Sequence, residues 1–128
     1  MKIENLYTIE KFNVSKEESA IVNGNFIIKI DPLNAVFSGH FPGAPVLPGA
    51  CTISIIKDCA AKIVGSNVLF SEIIQCKFTG MVDPNIENEL EVKLSLKEIN
   101  NSSYSVNGSV SVQGTGRVIL KLKGKCSN

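Results

Sequence analysis

The run Gly39-His40-Phe41-Pro42-Gly43-Ala44-Pro45-Val46-Leu47-Pro48-Gly49 leads straight into residues 50–64, Ala-Cys-Thr-Ile-Ser-Ile-Ile-Lys-Asp-Cys-Ala-Ala-Lys-Ile-Val. Pro42, Pro45 and Pro48 fix φ and push Phe41, Ala44 and Leu47 towards extended backbone, while Gly39, Gly43 and Gly49 permit positive φ or the close approach of another group. The loop is therefore pre-organised. Beyond it, Ile53, Ile56, Ala60 and Ile63 recur at helical spacing, which predicts a helix over 50–64. Pro48 suits a helix entry, and Gly49 leaves the first N–H groups uncovered by a side chain. With the positive end of the macrodipole, those groups are able to polarise a carbonyl oxygen. On spacing alone, the stretch reads equally well as a proline-stiffened connection with an ordinary helix start.

His40 is the chain's single histidine. Imidazole has the unperturbed pKa nearest neutrality, so a histidine held rigidly at a pocket mouth is a natural general base, although a lone histidine is often structural.

Outside this stretch the hydrophobic period changes. Residues 5–12 predict a first strand, followed by a polar turn at 13–19. Asn23-Gly24 is a hairpin-type pair, ahead of a strand in which Phe26, Ile28 and Ile30 alternate with mostly polar positions. After the helix, residues 72–78 predict a strand. Three segments then alternate with period two: Leu90, Val92, Leu94 and Leu96; Tyr104, Val106, Val110 and Val112; Val118, Leu120 and Leu122. Asn100-Asn101-Ser102 and Gly114-Thr115-Gly116 separate them as hairpin turns, so the C-terminal half predicts an antiparallel meander. Lys97, Lys121 and Lys123 belong to its solvated face. The expected fold class is α+β: one domain over residues 1–128, an antiparallel sheet wrapped around one long central helix.

Composition narrows the function classes. The chain is 44% hydrophobic and 20% charged, with a net charge of +1 and scattered lysines, which argues against a nucleic-acid surface. The N-terminal residues lack the apolar core of a signal peptide, and no stretch approaches the roughly 18 apolar residues that span a bilayer, so a cytoplasmic protein with no membrane partner is expected. Cys51, Cys59, Cys76 and Cys126 show no metal-type spacing and read as reduced packing residues; neither a metal nor a cofactor is expected.

Residues 37–49, Phe-Ser-Gly-His-Phe-Pro-Gly-Ala-Pro-Val-Leu-Pro-Gly, closely resemble the active-site motif of the FabZ-type 3-hydroxyacyl-acyl-carrier-protein dehydratases. A second, weaker match is Cys76-Lys77-Phe78-Thr79-Gly80-Met81-Val82-Asp83-Pro84. The resemblance covers roughly residues 20–124. It implies a hotdog fold, a homodimer or higher oligomer, and an acyl thioester of fatty-acid or related metabolism, carried on acyl carrier protein or coenzyme A and entering at the subunit interface. It also implies that His40 removes the proton α to the thioester carbonyl and that an N–H at Gly49 holds the carbonyl oxygen. Phe41, Pro42, Gly43, Val46, Leu47, Pro48, Phe78 and Met81 would surround the acyl chain. The family's acid, supplied by the partner subunit, should stand five residues after Gly49. Here that residue is Ser54, and a serine hydroxyl does not protonate a leaving hydroxyl as a carboxylic acid does.

Asp58, one turn beyond Ser54 on the same helical face, is either a substitute carboxyl acting through a water held by Ser54 or a solvated or lysine-paired surface residue. Cys51, near the helix N-terminus, is either a nucleophile or a packing residue. Three function classes follow. The first is a dehydratase with altered acid catalysis. The second is a non-catalytic acyl-binding subunit that forms a heteromer with an active homologue. The third is a hotdog thioesterase in which Asp58 or a water attacks the carbonyl.

Overall fold

The computed structural model describes residues 5–17, 20–39 and 45–128. His40, Phe41, Pro42 and Gly43 lie outside the described residues. The chain forms β1 (Tyr7–Lys16), β2 (Ile21–Ile30), α1 (Ala35–Gly39), α2 (Gly49–Val64), β3 (Leu69–Phe78), β4 (Glu89–Asn100), β5 (Ser103–Val112) and β6 (Val118–Ser127). Its strands make one six-stranded antiparallel sheet in the order β1-β2-β4-β5-β6-β3.

Period-two patterning sets the register. Leu90, Val92, Leu94 and Leu96 of β4 pair with Val112, Val110, Gly108 and Val106 of β5, and all of these valines and leucines are buried. Both hairpin turns of the meander fall where expected, at 101–102 and 113–115. Lys97, Lys121 and Lys123 are exposed. The helix lies across the buried face of the sheet, covering it with Cys51, Thr52, Ile55, Ile56, Cys59 and Ala60. Ile53 and Ile63, two of the four residues whose spacing announced the helix, are only partly buried against this core. The last turn closes through a hydrogen bond from the Gly65 N–H to the Ala61 carbonyl at 2.8 Å.

Two expectations for the N-terminal third need correction. The first strand does not end at residue 12: β1 continues to Lys16 because Asn13, Val14, Ser15 and Lys16 pair with Asn25, Gly24, Asn23 and Val22 of β2. Asn23-Gly24 is accordingly not a turn but the middle of a strand. Gly24 lies under α2, where a Cβ would sit 2.7 Å from Cδ1 of Ile63, so this glycine admits the helix rather than reversing the chain. The short helix α1, ahead of the proline loop, carries no periodic signal long enough to announce it.

The strand at the far edge, β3, is unlike the others. Two irregularities, between Phe70 and Glu72 and between Ile73 and Gln75, break its pairing with β6. Among the described residues no strand pairs with its other edge, and Leu69, Ile73, Ile74 and Phe78 remain exposed. An exposed apolar edge strand is a template for pairing with another chain.

Candidate active site

The start of α2 is built from the proline loop and the segment after β3. The Leu47 N–H donates to the Val82 carbonyl at 2.9 Å, tying the two together. Pro48 caps the helix in extended backbone with no side-chain hydrogen bond, and its carbonyl receives the N–H groups of Cys51 at 3.0 Å and Thr52 at 3.2 Å. Over Gly49 lies the ring of Phe78: a Cβ at residue 49 would come within 2.6 Å of Cε1. Only a glycine fits there without displacing the ring.

Beside this contact is a cavity of about 340 Å³, lined by Val46, Leu47, Pro48, Gly49, Thr52, Phe78, Gly80, Met81, Val82, Ile119 and Leu120. Its walls are mostly aliphatic or aromatic, as a site that desolvates an acyl chain requires. The structure thus gathers Val46, Leu47, Pro48, Gly49, Phe78 and Met81 around one cavity at the helix start. Phe78 and Met81 are nevertheless 54% and 68% exposed, so the cavity is open on their side in a single chain.

Ser54 and Asp58 lie elsewhere. At about 100° per residue, they stand roughly 140° and 180° around the helix from Gly49. They face a separate open groove of about 1000 Å³, bounded by residues 5–9 at the start of β1 and by Cys51, Ala61 and Lys62. One chain therefore does not bring the Gly49 cavity and the Ser54 face into a common site.

The partner of Asp58 in this groove is Tyr7, a residue that neither expectation for Asp58 named. Asp58 is half-buried and accepts a hydrogen bond from the hydroxyl of Tyr7. Burial, then this hydrogen bond and the charge of Asp58, raise the Tyr7 hydroxyl far above its ordinary value. Burial followed by the Asp58 charge pushes the Cys59 thiol up to about 12. Cys51 is also raised, chiefly by burial, which keeps it a thiol and favours packing over a nucleophilic role. All four cysteines are free, and among the described residues no cluster of His, Cys, Asp and Glu is able to hold a metal ion.

Two residues near these surfaces carried no local signal. Tyr7 meets Asp58 across 51 residues of sequence, and only the fold shows the pair. Arg117, the chain's single arginine, donates to the Met81 carbonyl at 3.1 Å and pairs with Glu87, anchoring the segment that walls the cavity. No helix among the described residues is long and apolar enough to cross a membrane.

An antiparallel sheet wrapped round one helix, with an apolar cavity at the helix start, defines the class: this is a hotdog-fold protein. The same fold is seen in an uncharacterized protein from Erwinia carotovora subsp. atroseptica (TM-score 0.75, 22% identity, covering 95% of this chain and 96% of that one). It also recurs in the dehydratase heterocomplex ApeI:P from Xenorhabdus doucetiae (TM-score 0.72, 21% identity, 94% and 97% covered). The sequence profile of the ApeI-like family, ApeI dehydratase, matches residues 13–117, and the chain belongs to that family. It is also similar to the 3-hydroxyacyl-acyl-carrier-protein dehydratase FabZ of Erythrobacter litoralis, at 33% identity over 87 residues, 61% of this chain and 56% of that protein. The FabZ of Ligilactobacillus salivarius aligns over 115 residues at 27% identity, covering 84% of this chain and 71% of the relative. The chain spans little more than half the length of the Erythrobacter protein. The resemblance to the FabZ-type dehydratases is therefore borne out, with the ApeI-like family as the one whose profile matches.

Proposed function

We propose that this chain acts in the cytoplasm as a 3-hydroxyacyl-thioester dehydratase of fatty-acid or related acyl-chain metabolism, with the acyl group carried on acyl carrier protein or coenzyme A. The observation that carries this reading is the apolar cavity at the N-terminus of α2, with Gly49 kept bare under Phe78. In this reading the acyl chain lies along Leu47, Phe78 and Met81, and the thioester oxygen meets the N–H groups at the helix start. His40, in the loop immediately before, takes the α-proton as general base. The developing enolate charge is held by backbone dipoles that need no reorganisation.

The second polar group comes from another subunit in this reading. Gly49 and Ser54 occupy different faces of one helix, and the apolar outer edge of β3 supports pairing between two copies. A homodimer would thus place Ser54 and Asp58 of one copy near the cavity of the other. A second reading is favoured by Ser54 itself. Where the FabZ resemblance leads one to expect a carboxylic acid, this chain carries a hydroxyl, and an active homologue in a heteromer would supply the acid. The related structure from Xenorhabdus doucetiae is of a dehydratase heterocomplex, which supports this second reading.

The test is to incubate the purified protein with 3-hydroxyacyl thioesters on acyl carrier protein and on coenzyme A, resolving products by mass. An α,β-unsaturated thioester formed by the wild type and absent with His40→Ala supports the dehydratase. No dehydration until a homologue bearing the carboxylate is added supports the heteromer.

A further inference from the structure

The outer face of the sheet, opposite α2, gathers lysines that the sequence spreads over three strands. In register, Lys93 of β4 faces Ser109 of β5, Ser109 faces Lys121 of β6, and Lys121 faces Lys77 of β3. The neighbouring row runs Asn23, Ser95, Asn107, Lys123 and Gln75. These two rows line a hollow of about 600 Å³. Its four lysines are exposed, whereas Val92, Leu94, Leu120 and Leu122, next to them along the strands, are buried on the helix side. Lys77 and Lys121 stand directly opposite each other with backbones about 5 Å apart, a placement in which like charges repel. Lys123 lies roughly 7 Å further along the same face of β6. Counter-charge is sparse. Among the described residues, Glu91 is the one carboxylate paired with any of the four, at 3.9 Å from Lys93. Glu17 instead accepts from the amide of Asn23 at 2.7 Å. The free protein therefore carries an uncompensated repulsion that an anion in the hollow would relieve.

We propose that this hollow binds a small molecule bearing two or more linked phosphates. An ammonium is a point-charge phosphate binder, and four of them line one space. Ser109 and Asn107 add neutral donors between the lysines. No aromatic side chain lines the hollow, and its two leucines are buried, so charge and hydrogen bonds do the recognising. The volume is that of a small-molecule pocket. Lys93 and Lys77 are three strand spacings apart, roughly 14 Å, and Lys121 and Lys123 roughly 7 Å, an area of about 100 Å². A stable protein partner covers roughly 800 Å² of each surface, far more than this cluster spans. The site is distinct from the acyl cavity: Lys77 adjoins Phe78 and Lys121 adjoins Leu120, so the two lie back to back across the sheet. It does not depend on the dehydratase reading.

The experiment titrates the full chain with inorganic triphosphate by calorimetry at low salt and follows Tm in parallel. The wild type binds one triphosphate per chain, gains Tm, and loses affinity as added salt screens the charges. Orthophosphate binds at least about 10-fold more weakly, since it reaches fewer of the ammonium groups. Lys121→Gln and Lys77→Gln each lower triphosphate affinity by about 10-fold or more, the worth of one charged hydrogen bond. Neither lowers the Tm of the free protein, because each removes a repulsion. Lys121→Arg retains binding, and so does Lys29→Gln, an exposed lysine outside the hollow. ATP is titrated alongside: equal affinity assigns recognition to the phosphate chain itself, and tighter binding of ATP assigns the site to a nucleotide. No binding of triphosphate or ATP at millimolar concentration overturns the proposal. So does an equal loss with Lys29→Gln and Lys121→Gln, which would show a diffuse positive field. Sedimentation of the chain with phosphatidylserine vesicles, without triphosphate binding, would also overturn it and make the face a membrane contact.

Discussion

Replacing Gly49 with alanine separates the stability of the helix start from its chemistry. The new methyl carbon would lie 2.6 Å from Cε1 and 2.7 Å from Cζ of Phe78, closer than nonbonded carbons tolerate. Forcing extra volume into a packed site costs about 1–3 kcal/mol. Phe78 is 54% exposed, however, so its ring is able to swing outward, and the lower end of that range applies. Against this stands the better helix propensity of alanine, worth up to about 1 kcal/mol. The two terms nearly cancel, and Tm should move by no more than about 5 °C for a domain of this size. The cavity fares differently. Displacing Phe78 moves the wall that positions the thioester, and a misplacement of about 1 Å can cost roughly 100-fold in rate. Thermal melts and kcat/KM for 3-hydroxyacyl thioesters on four proteins, wild type, Gly49→Ala, Phe78→Ala and the double variant, form a cycle. The contact predicts strong non-additivity: once Phe78 is alanine, Gly49→Ala should cost little further activity. A Gly49→Ala loss of the same size in both backgrounds would refute the steric argument.

Other consequences follow from individual contacts. Gly24→Val, with Ile63 only 2.7 Å from the new Cβ, should destabilise the fold by about 1–3 kcal/mol in urea unfolding. Ile74→Asp on the outer edge of β3 should shift sedimentation towards monomer and reduce dehydration with it. Arg117→Ala should change stability by under about 1 kcal/mol, because its ion pair with Glu87 is solvent-screened; it should nonetheless raise KM by freeing the Met81 segment. Burial, then the charge of Asp58, pushes the folded-state thiol of Cys59 up to about 12 from an ordinary value of about 9. The folded chain therefore holds more protons between these values. Stability from this group is complete below pH 9 and is lost as pH rises towards 12, so Cys59→Ala should flatten the alkaline limb of a Tm–pH curve.

The β4-β5-β6 meander was legible because each strand has one wet face, so a period-two pattern maps directly onto the buried set from Leu90 to Leu122. The helix was legible for the same reason, with its start marked by Pro48 and Gly49. What failed was local turn chemistry: Asn23-Gly24 carries a hairpin signal, yet Gly24 answers to the side chain of Ile63, which approaches from a helix far along the chain. The cavity residues 46–49, 78 and 81 could be named because two sequence motifs flank it. The Tyr7–Asp58 pair could not, since a contact across 51 residues leaves no periodic trace. Spacing alone sets Gly49 and Ser54 on different faces of the helix, but that one face meets the cavity and the other the groove follows only once the helix is seen between them.

The most direct test of the proposed elimination site is to restore the carboxyl that Ser54 lacks. In a dimer whose Ser54 face meets the partner's cavity, Ser54→Glu brings a carboxyl to that cavity. The rate of dehydration of a 3-hydroxyacyl thioester should then rise by up to roughly 10²–10⁴-fold, and His40→Ala in the same chain should abolish the gain, because acid and base serve one elimination. A Ser54→Glu protein that folds, dimerises and binds acyl carrier, yet dehydrates no faster than background, would contradict the account and leave the chain an acyl-binding subunit.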